Sequence, residues 1–329
     1  IDCIVINNPT SYVNEKDKFI IDQFIMRGGR SIWLISGSNA SMDSLETQSQ
    51  SIALPNTETN LNDMLFKFGI RVNYDIIQDL QAAPIPIITH YLEDKPQWTF
   101  FPWTFFPILA SKNNHLINQH VNPIKSQFPS SIDTLYNKIR KTILLQSSDF
   151  SKKTSTPALI NLEKLKEKPE EKIYKDGPQI TAVLLEGLFE SIFINRIPQK
   201  IATNENIKFQ KNTINTENKD TTNKLIIISD GHFISNQFKN NQHLPIGFDK
   251  HTKNQYGNGE FILNCLDYLL DTKHVIRVRN KDIDIRMLNN QKIQTEKRYW
   301  QVFNTFTPLG ILFVIGLVIL VFRHKKYSY

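Results

Sequence analysis

The sequence predicts an α/β domain with a mainly parallel sheet, followed by a single C-terminal transmembrane helix. Three observations carry this expectation. Near the start, a strand-like run, a helical spacing and a second strand-like run follow one another with short connections. Later runs such as TAVLL (181–185) and KLIIIS (224–229) are apolar without alternation, the pattern of strands covered on both faces. The last apolar stretch is uncharged over a membrane-spanning length.

Residues 1–6 (IDCIVI) form an apolar run closed by Asn7, Asn8 and Pro9, as expected of a buried strand. Asn14 can cap a helix, with Asp17 three residues on as a capping-box variant. Phe19, Ile20, Ile21, Phe24 and Ile25 give the helical spacing, and Gly28 and Gly29 end it. SIWLI (31–35) is the second strand. A short helix is expected over 61–68, stopped by Gly69, then one strand over 70–77 and a short helix or helical turn over 131–138. TILLQ (142–146) is a further buried strand, and 261–270 is a helix with Phe261, Cys265, Leu266 and Leu269 on one face. Two polar stretches, near 151–178 and 204–223, read as flexible, solvated excursions.

The 329 residues suffice for a large core. With 40% hydrophobic and 22% charged residues, the chain is not globally disordered. Lys and Arg total 39 against 32 Asp and Glu, a net charge of +7. The lysines are scattered through Asn/Lys-rich loops instead of clustering with aromatics, so no nucleic-acid partner is expected. Richness in Ile, Asn and Lys is the composition of a low-GC genome. The first residue is Ile, so a preceding segment is expected.

Residues 302–322 (VFNTFTPLGILFVIGLVILVF) carry no charge, and about 21 helical residues reach about 30 Å. Tyr299 and Trp300 precede this stretch as interfacial aromatics, and Arg323, His324, Lys325 and Lys326 follow it. The basic tail places the C-terminus in the cytoplasm and the domain outside, against the weaker pull of Lys297 and Arg298. The expected organisation is a domain over 1–275, a juxtamembrane segment over 276–301, the span over 302–322 and a cytoplasmic tail over 323–329.

No catalytic, cofactor or metal residue is assigned. Neither Cys3 nor Cys265 sits on a strand-to-helix elbow, and no Cys/His set has zinc spacing. Ser36-Gly37-Ser38 follows a strand but lacks the second elbow glycine and a nearby His. Gly28 and Gly29 follow a helix, where a dinucleotide-binding loop would follow a strand. His115 and His120 are not at the spacing of a helical metal pair. Asp230 and His232, just past a strand, are the weak candidates for a ligand at the carboxyl edge of the sheet. The aromatic run Trp98, Phe100, Phe101, Trp103, Phe105 and Phe106 is expected as a loop plugging the core, with a docking surface as the alternative.

Pieces distributed along the chain carry a resemblance: IDCIVINNPT, FIMRGGRSIWLI, FKFGIRVNYDIIQD, SSIDTL with TILLQSS, AVLLEGLFESIF, IIISDGHFISN, LPIGFDKHTKNQYGN, FILNCLDYLLD and IRVRNKDIDIRMLNNQKI, then an apolar helix and RHKKYSY. In these the sequence resembles the gliding-motility-associated ABC-transporter auxiliary family GldG of the Bacteroidetes, within the wider ABC-transporter auxiliary domain family. His232 stands where that family tends to have a second acid, and Gly259 where a lysine is common. The resemblance implies an amidotransferase-like or flavodoxin-like domain without catalytic residues, facing the periplasm from the inner membrane. It also implies ATPase and permease subunits as partners, with envelope proteins as further ones, in a non-enzymatic substrate-binding-like role. The alternatives are a solute-binding receptor and an amidotransferase-like envelope hydrolase.

Overall fold

The computed structural model describes residues 1–92, 95–111, 113–195, 209–213, 223–271 and 290–327. It divides into two units, Ile1–Asn280 and Lys281–Tyr329. The first is built on a five-stranded sheet. Its strands are β1 (Cys3–Asn7), β2 (Arg30–Leu34), β10 (Arg140–Gln146), β13 (Ile180–Gly187) and β14 (Asn223–Ile228), in the order β1-β2-β14-β13-β10.

The first βαβ unit forms as its residues dictate. β1 and β2 pair in parallel, joined by α1 (Glu15–Met26). Asn14 caps α1 by accepting from Asp17 N at 2.9 Å, and its amide donates to the Asp17 carboxylate at 2.8 Å. Gly28 ends the helix at φ +90°, a conformation that costs other residues a steric penalty. β1 lies at the sheet margin and is only half-buried, where a buried strand was expected.

The sheet is mixed, which corrects the expectation of a mainly parallel one. β14 joins β2 in parallel, but β13 is antiparallel to both β14 and β10. The apolar runs report burial on both faces and say nothing of direction. No helix crosses the sheet between β10 and β13, and such a crossover is what parallel re-entry requires.

Alternation divides the central strands between two cores. Trp33, Val183, Leu185, Leu225 and Ile227 face one side, where Ile25 and Met26 of α1 and Met64 and Leu65 of α3 (Asn62–Lys67) cover them. Ile32, Leu34, Leu184, Ile226 and Ile228 face the other, beneath Phe261, Cys265 and Leu269 of α4 (Asn258–Leu270). Two polar anchors hold α1. The fully buried Lys18 pairs with Asp63 of α3 at 2.5 Å. Asp22 accepts from Ser191 Oγ at 2.6 Å and Ile192 N at 3.0 Å.

A third core lies under antiparallel ribbons. β3 (Gln50–Ala53), which follows the one-and-a-half-turn α2 (Met42–Thr47), pairs with β12 (Ala158–Asn161). β5 (Asp75–Asp79) pairs with β11 (Ser151–Ser155), and β6 (Ala82–Leu92), β7 (Lys95–Leu109) and β8 (Ile124–Lys125) form a three-stranded sheet. The stretch read as a solvated excursion over 151–178 therefore contributes two strands, and Ala158, Ile160 and Leu165 to this core. One face of such a ribbon meets water, so its composition reads as polar. Of the stretch 204–223, residues 204–208 and 214–222 lie outside the described residues. Within the described part, Gln210 exchanges hydrogen bonds with Gln23 of α1.

Two further expectations are corrected. The run 70–77 is two strands, β4 (Ile70–Val72) and β5, with different partners. The segment 131–138 holds β9 (Ile132–Thr134), antiparallel to β4, in place of a helical turn. Ser131 is fixed there by Asp75, whose carboxylate accepts from its amide at 2.8 Å and its hydroxyl at 2.6 Å.

β10 is the other sheet margin, and it is covered. Ala110 bridges Gln146, while the amides of Asn113 and Asn118 donate to the carbonyls of Ile143 and Leu144.

The turn after β2 sets a sharp steric requirement. A Cβ on Gly37 would stand 2.0 Å from the Asn73 carbonyl oxygen and 2.7 Å from Ser130 Oγ. Because the first neighbour is backbone, Gly37→Ala is expected to destabilise the protein by about 1–3 kcal/mol. Urea unfolding of the full chain in detergent measures this; an unchanged midpoint would refute the packing at this turn.

Candidate functional site

β1, β2 and β14 run parallel, so their carboxyl ends open on one side of the sheet, where ligands bind in open α/β folds. The residues there are Asn8, Ser36–Ser38 and Ser229–His232. Asp230 is 1% exposed, and its position is fixed by three donors. Oδ2 accepts from Ser126 Oγ at 2.6 Å and Gln127 N at 2.8 Å, and Oδ1 accepts from His232 N at 2.7 Å. Burial pushes the Asp230 pKa up, and these hydrogen bonds and the His232 charge counter it only in part. The carboxylate therefore ties the 126–127 turn to the end of β14. His232, half-buried, lines a neighbouring pocket.

Ser36 has a structural partner: its Oγ accepts from Gly231 N at 2.9 Å. Both cysteines are held as thiols. Burial raises the Cys3 pKa, against a smaller lowering by Arg30, and raises that of Cys265 well above its ordinary value. His115 caps a 3₁₀ turn, Leu116–Asn118, by accepting from Ile117 N at 3.3 Å, and its ring packs on Tyr268. His120 sits at φ +56°. Among the described residues no three His, Cys, Asp or Glu side chains gather as a metal would need.

Sequence reasoning missed a buried ion pair beside His232. Lys125 of β8 and Asp249 are 9% and 4% exposed, with Nζ 2.7 Å from Oδ2. The ammonium also stands over the rings of Phe106 (5.1 Å) and Tyr256 (5.7 Å). Asp249 Oδ1 accepts from His251 N and Thr252 N, and Asn258 clamps Lys125 through its backbone N and O. Burial raises the Asp249 pKa, but the Lys125 hydrogen bond and charge, with the two amides, leave it below the ordinary carboxylate value. The pair is 124 residues apart in sequence, so no local pattern announces it. The pocket here has a cavity volume of about 30 Å³, the share of one water.

The aromatic run lies on β7, a strand where a loop was expected, and alternation splits it. Trp103, Phe105 and Phe106 are in the third core, and Phe101 packs against it with Ile85 and Ile87 of β6. Directly opposed residues share a face. The pairs Pro84–Pro102, Pro86–Phe100 and Ile88–Trp98 therefore form one apolar stripe on the outer face. Trp98 is 52% and Phe100 44% exposed, and the Trp98 ring centroid lies 6.3 Å from that of His251. Proline has no N–H, so this row occupies the non-hydrogen-bonded positions of the ribbon.

The second unit contains α5 (Asn290–Tyr327), in which Gln301–Lys326 is long and apolar enough to cross a membrane. Over 302–322 its large apolar side chains are exposed, unlike those of a core helix. Pro308 lies within it, and Thr305 Oγ donates to the Gln301 carbonyl at 2.8 Å.

Residues 1–265 match the family model described as an ABC-type uncharacterized transport system. The chain belongs to that family. The match to this transport-system family runs from β1 into α4, so it takes in Lys125, Asp230, Asp249 and the aromatic stripe, and ends before α5. No curated protein sequence matches the chain. Among solved structures, it is similar to one titled mmIFT52 N-terminal domain, at 12% identity and a TM-score of 0.41, over 82% of this chain and 77% of that one.

Within the family domain, the Lys125–Asp249 pair gives a stability prediction. Removing one partner strands a buried charge, so Lys125→Met is expected to cost about 3–5 kcal/mol, and the double change K125M/D249L much less. The Asp249 pKa is depressed in the folded state, so its contribution is present above the unfolded value, about 3.9, and fades as pH falls through the folded one. Denaturant titrations at pH 7 and at acid pH should therefore show a shallower acid loss in Asp249→Asn. Equal loss in the variant and the parent would refute the assignment.

Proposed function

We propose that this chain is a membrane-anchored, non-enzymatic auxiliary subunit of an ABC transporter of the gliding-motility-associated type. The observation that carries this reading is the family match over 1–265, followed by an exposed apolar helix. In this reading α5 anchors the chain in the inner membrane and docks against the permease. The basic residues Arg323, Lys325 and Lys326 stay in the cytoplasm, and the domain lies in the periplasm. Asn304, Thr305 and Thr307 would supply hydrogen bonds across the helix contact, each worth about 0.6 kcal/mol.

The exported domain would meet its protein partner through the stripe of Trp98 and Phe100. Large exposed aromatics with apolar neighbours are where binding energy concentrates. At the strand edge, Asp230 serves as the tie and His232 as the member that meets a ligand.

Two experiments test this reading. Reporter fusions after Tyr329 are expected to be active in the cytoplasm, and protease added to spheroplasts is expected to digest the domain; a protected domain would reverse the orientation. In mild detergent the parent chain is expected to co-purify with an ATPase and a permease. The double change W98A/F100A, which alters exposed side chains only, is expected to lower the yield of that complex at least about tenfold while leaving the unfolding midpoint in place. Exchange of residues 305–322 for an unrelated spanning helix is expected to keep the domain at the membrane and weaken the complex. Full co-purification of both variants would refute the two contacts.

A further inference from the structure

Residues 113–119, between β7 and β8, lie over the β10 margin, with His115 at their centre. Asn113 and Asn118 donate to the carbonyls of Ile143 and Leu144 in β10. Asn264 of α4 donates to the carbonyls of Ile117 at 3.0 Å and Gln119 at 3.4 Å. Ile117 is fully buried in the core beneath α4. The segment is thereby a strap fastened to both the sheet and the helix. Its own fold is a small network. Asn113 Oδ1 accepts from His115 N at 3.3 Å and from Asn118 Nδ2 at 3.0 Å, and the His115 carbonyl accepts from Asn118 N at 2.9 Å.

This network needs His115 in one charge state. Its Nδ1 accepts from Ile117 N at the start of the 3₁₀ turn, so the ring is neutral and carries its proton on Nε2. A second proton would turn Nδ1 from acceptor into donor and set two N–H groups against each other. The surroundings oppose that proton as well. Arg140, Glu186 and Lys224 are directly opposed across β10, β13 and β14, so one acid lies between two cations on one face. Tyr268 of α4 links this row to the imidazole. Its hydroxyl donates to Glu186 at 2.8 Å, Lys224 Nζ lies 4.2 Å from its ring centroid, and the His115 ring centroid is 4.8 Å away. Burial pushes the His115 pKa below its ordinary value; Glu186 raises it, and Arg140 and Lys224 lower it further.

We propose that His115 is a pH-sensitive latch: the neutral imidazole holds the strap 113–119 on the β10 margin, and its protonation releases the strap. Once released, the margin presents the carbonyls of Ile143 and Leu144 to an incoming strand in acid; at neutral pH it withholds them. The folded chain favours the neutral ring. The contribution of the latch is therefore complete above about 6.5, the unfolded value, and is lost as pH falls below it toward the folded one. The device is independent of the transporter partners and of the His232 edge.

The test is hydrogen–deuterium exchange of the full chain in mild detergent, compared at about pH 7.5 and about pH 5.5 after correction for the intrinsic exchange rate. The amides of 113–119 and 142–146 are expected to lose protection at least about fivefold in acid, while those of β2 and β14 keep theirs. His115→Asn keeps a cap acceptor and does not titrate, so its strap is expected to stay protected at both pH values. Glu186→Gln keeps an acceptor for the Tyr268 hydroxyl and removes the charge that favours the imidazolium. Its strap is expected to open at a lower pH than the parent's. This second variant decides the matter if the first disturbs folding. Three results would each overturn the proposal: a parent strap equally protected at both pH values, equal acid loss in His115→Asn and the parent, or an opening that Glu186→Gln leaves in place or moves to higher pH.

Discussion

The structure depends on the burial of β2, β14 and β13 on both faces. Ile226 and Leu225, neighbours in sequence, serve opposite cores, as do Leu184 and Leu185. A polar side chain on either face needs a partner inside the protein, so these strands are mostly apolar; Ser31 of β2 accepts from Trp33 Nε1 at 2.7 Å, and Asn223 at the start of β14 donates to the Ile25 carbonyl. Polar function is displaced to the strand ends, where Asp230, Ser229 and Ser36 are used up in tying turns together. Ser229 Oγ donates to the carbonyls of Ser130 and Thr181, and Ser36 accepts from Gly231. The carboxyl edge that often hosts chemistry in α/β folds is here largely a network of braces.

Exposed apolar features lie elsewhere in the chain. The aromatic stripe belongs to a ribbon whose inner face is anchored in the third core, so its outer residues are presented on a rigid support. A cavity of about 370 Å³ opens where β7 leaves that ribbon and reaches the margin of the main sheet. Both features are products of the antiparallel additions, and the central sheet supplies the frame on which they stand. The match to a transport-system family over 1–265 takes in the central sheet and the antiparallel additions alike.

The sequence revealed what local chemistry decides. Asn14 and Asp17 announced the start of α1, Gly28 its end, and KLIII a strand with no solvated face. It did not reveal what depends on distant partners. The direction of β13 follows from how 147–179 folds back, and that segment looked like a loop because one side of each ribbon faces water. Lys18 and Asp22 lie buried on a helix whose apolar spacing gave no hint of them, since their partners Asp63 and Ser191 come from remote segments. The Lys125–Asp249 pair was hidden for the same reason. At the candidate edge, the positions of Asp230 and His232 were legible from the strand before them. The three donors that occupy the Asp230 carboxylate were not, since two of them come from residues 126 and 127.

The prolines of the β6–β7 ribbon carry one further consequence. An exposed apolar ribbon is ordinarily a template for strand addition and, at high local density, for fibrous aggregation. Pro84, Pro86 and Pro102 sit in the row whose amide positions point outward, so three of its six positions offer no donor to an incoming strand, while Ile88, Trp98 and Phe100 keep theirs. The stripe can therefore stay sticky through its side chains while its backbone offers an incoming strand an interrupted ladder. Copies of the chain at high local density would keep this apolar face available with less tendency to seed a continuous sheet.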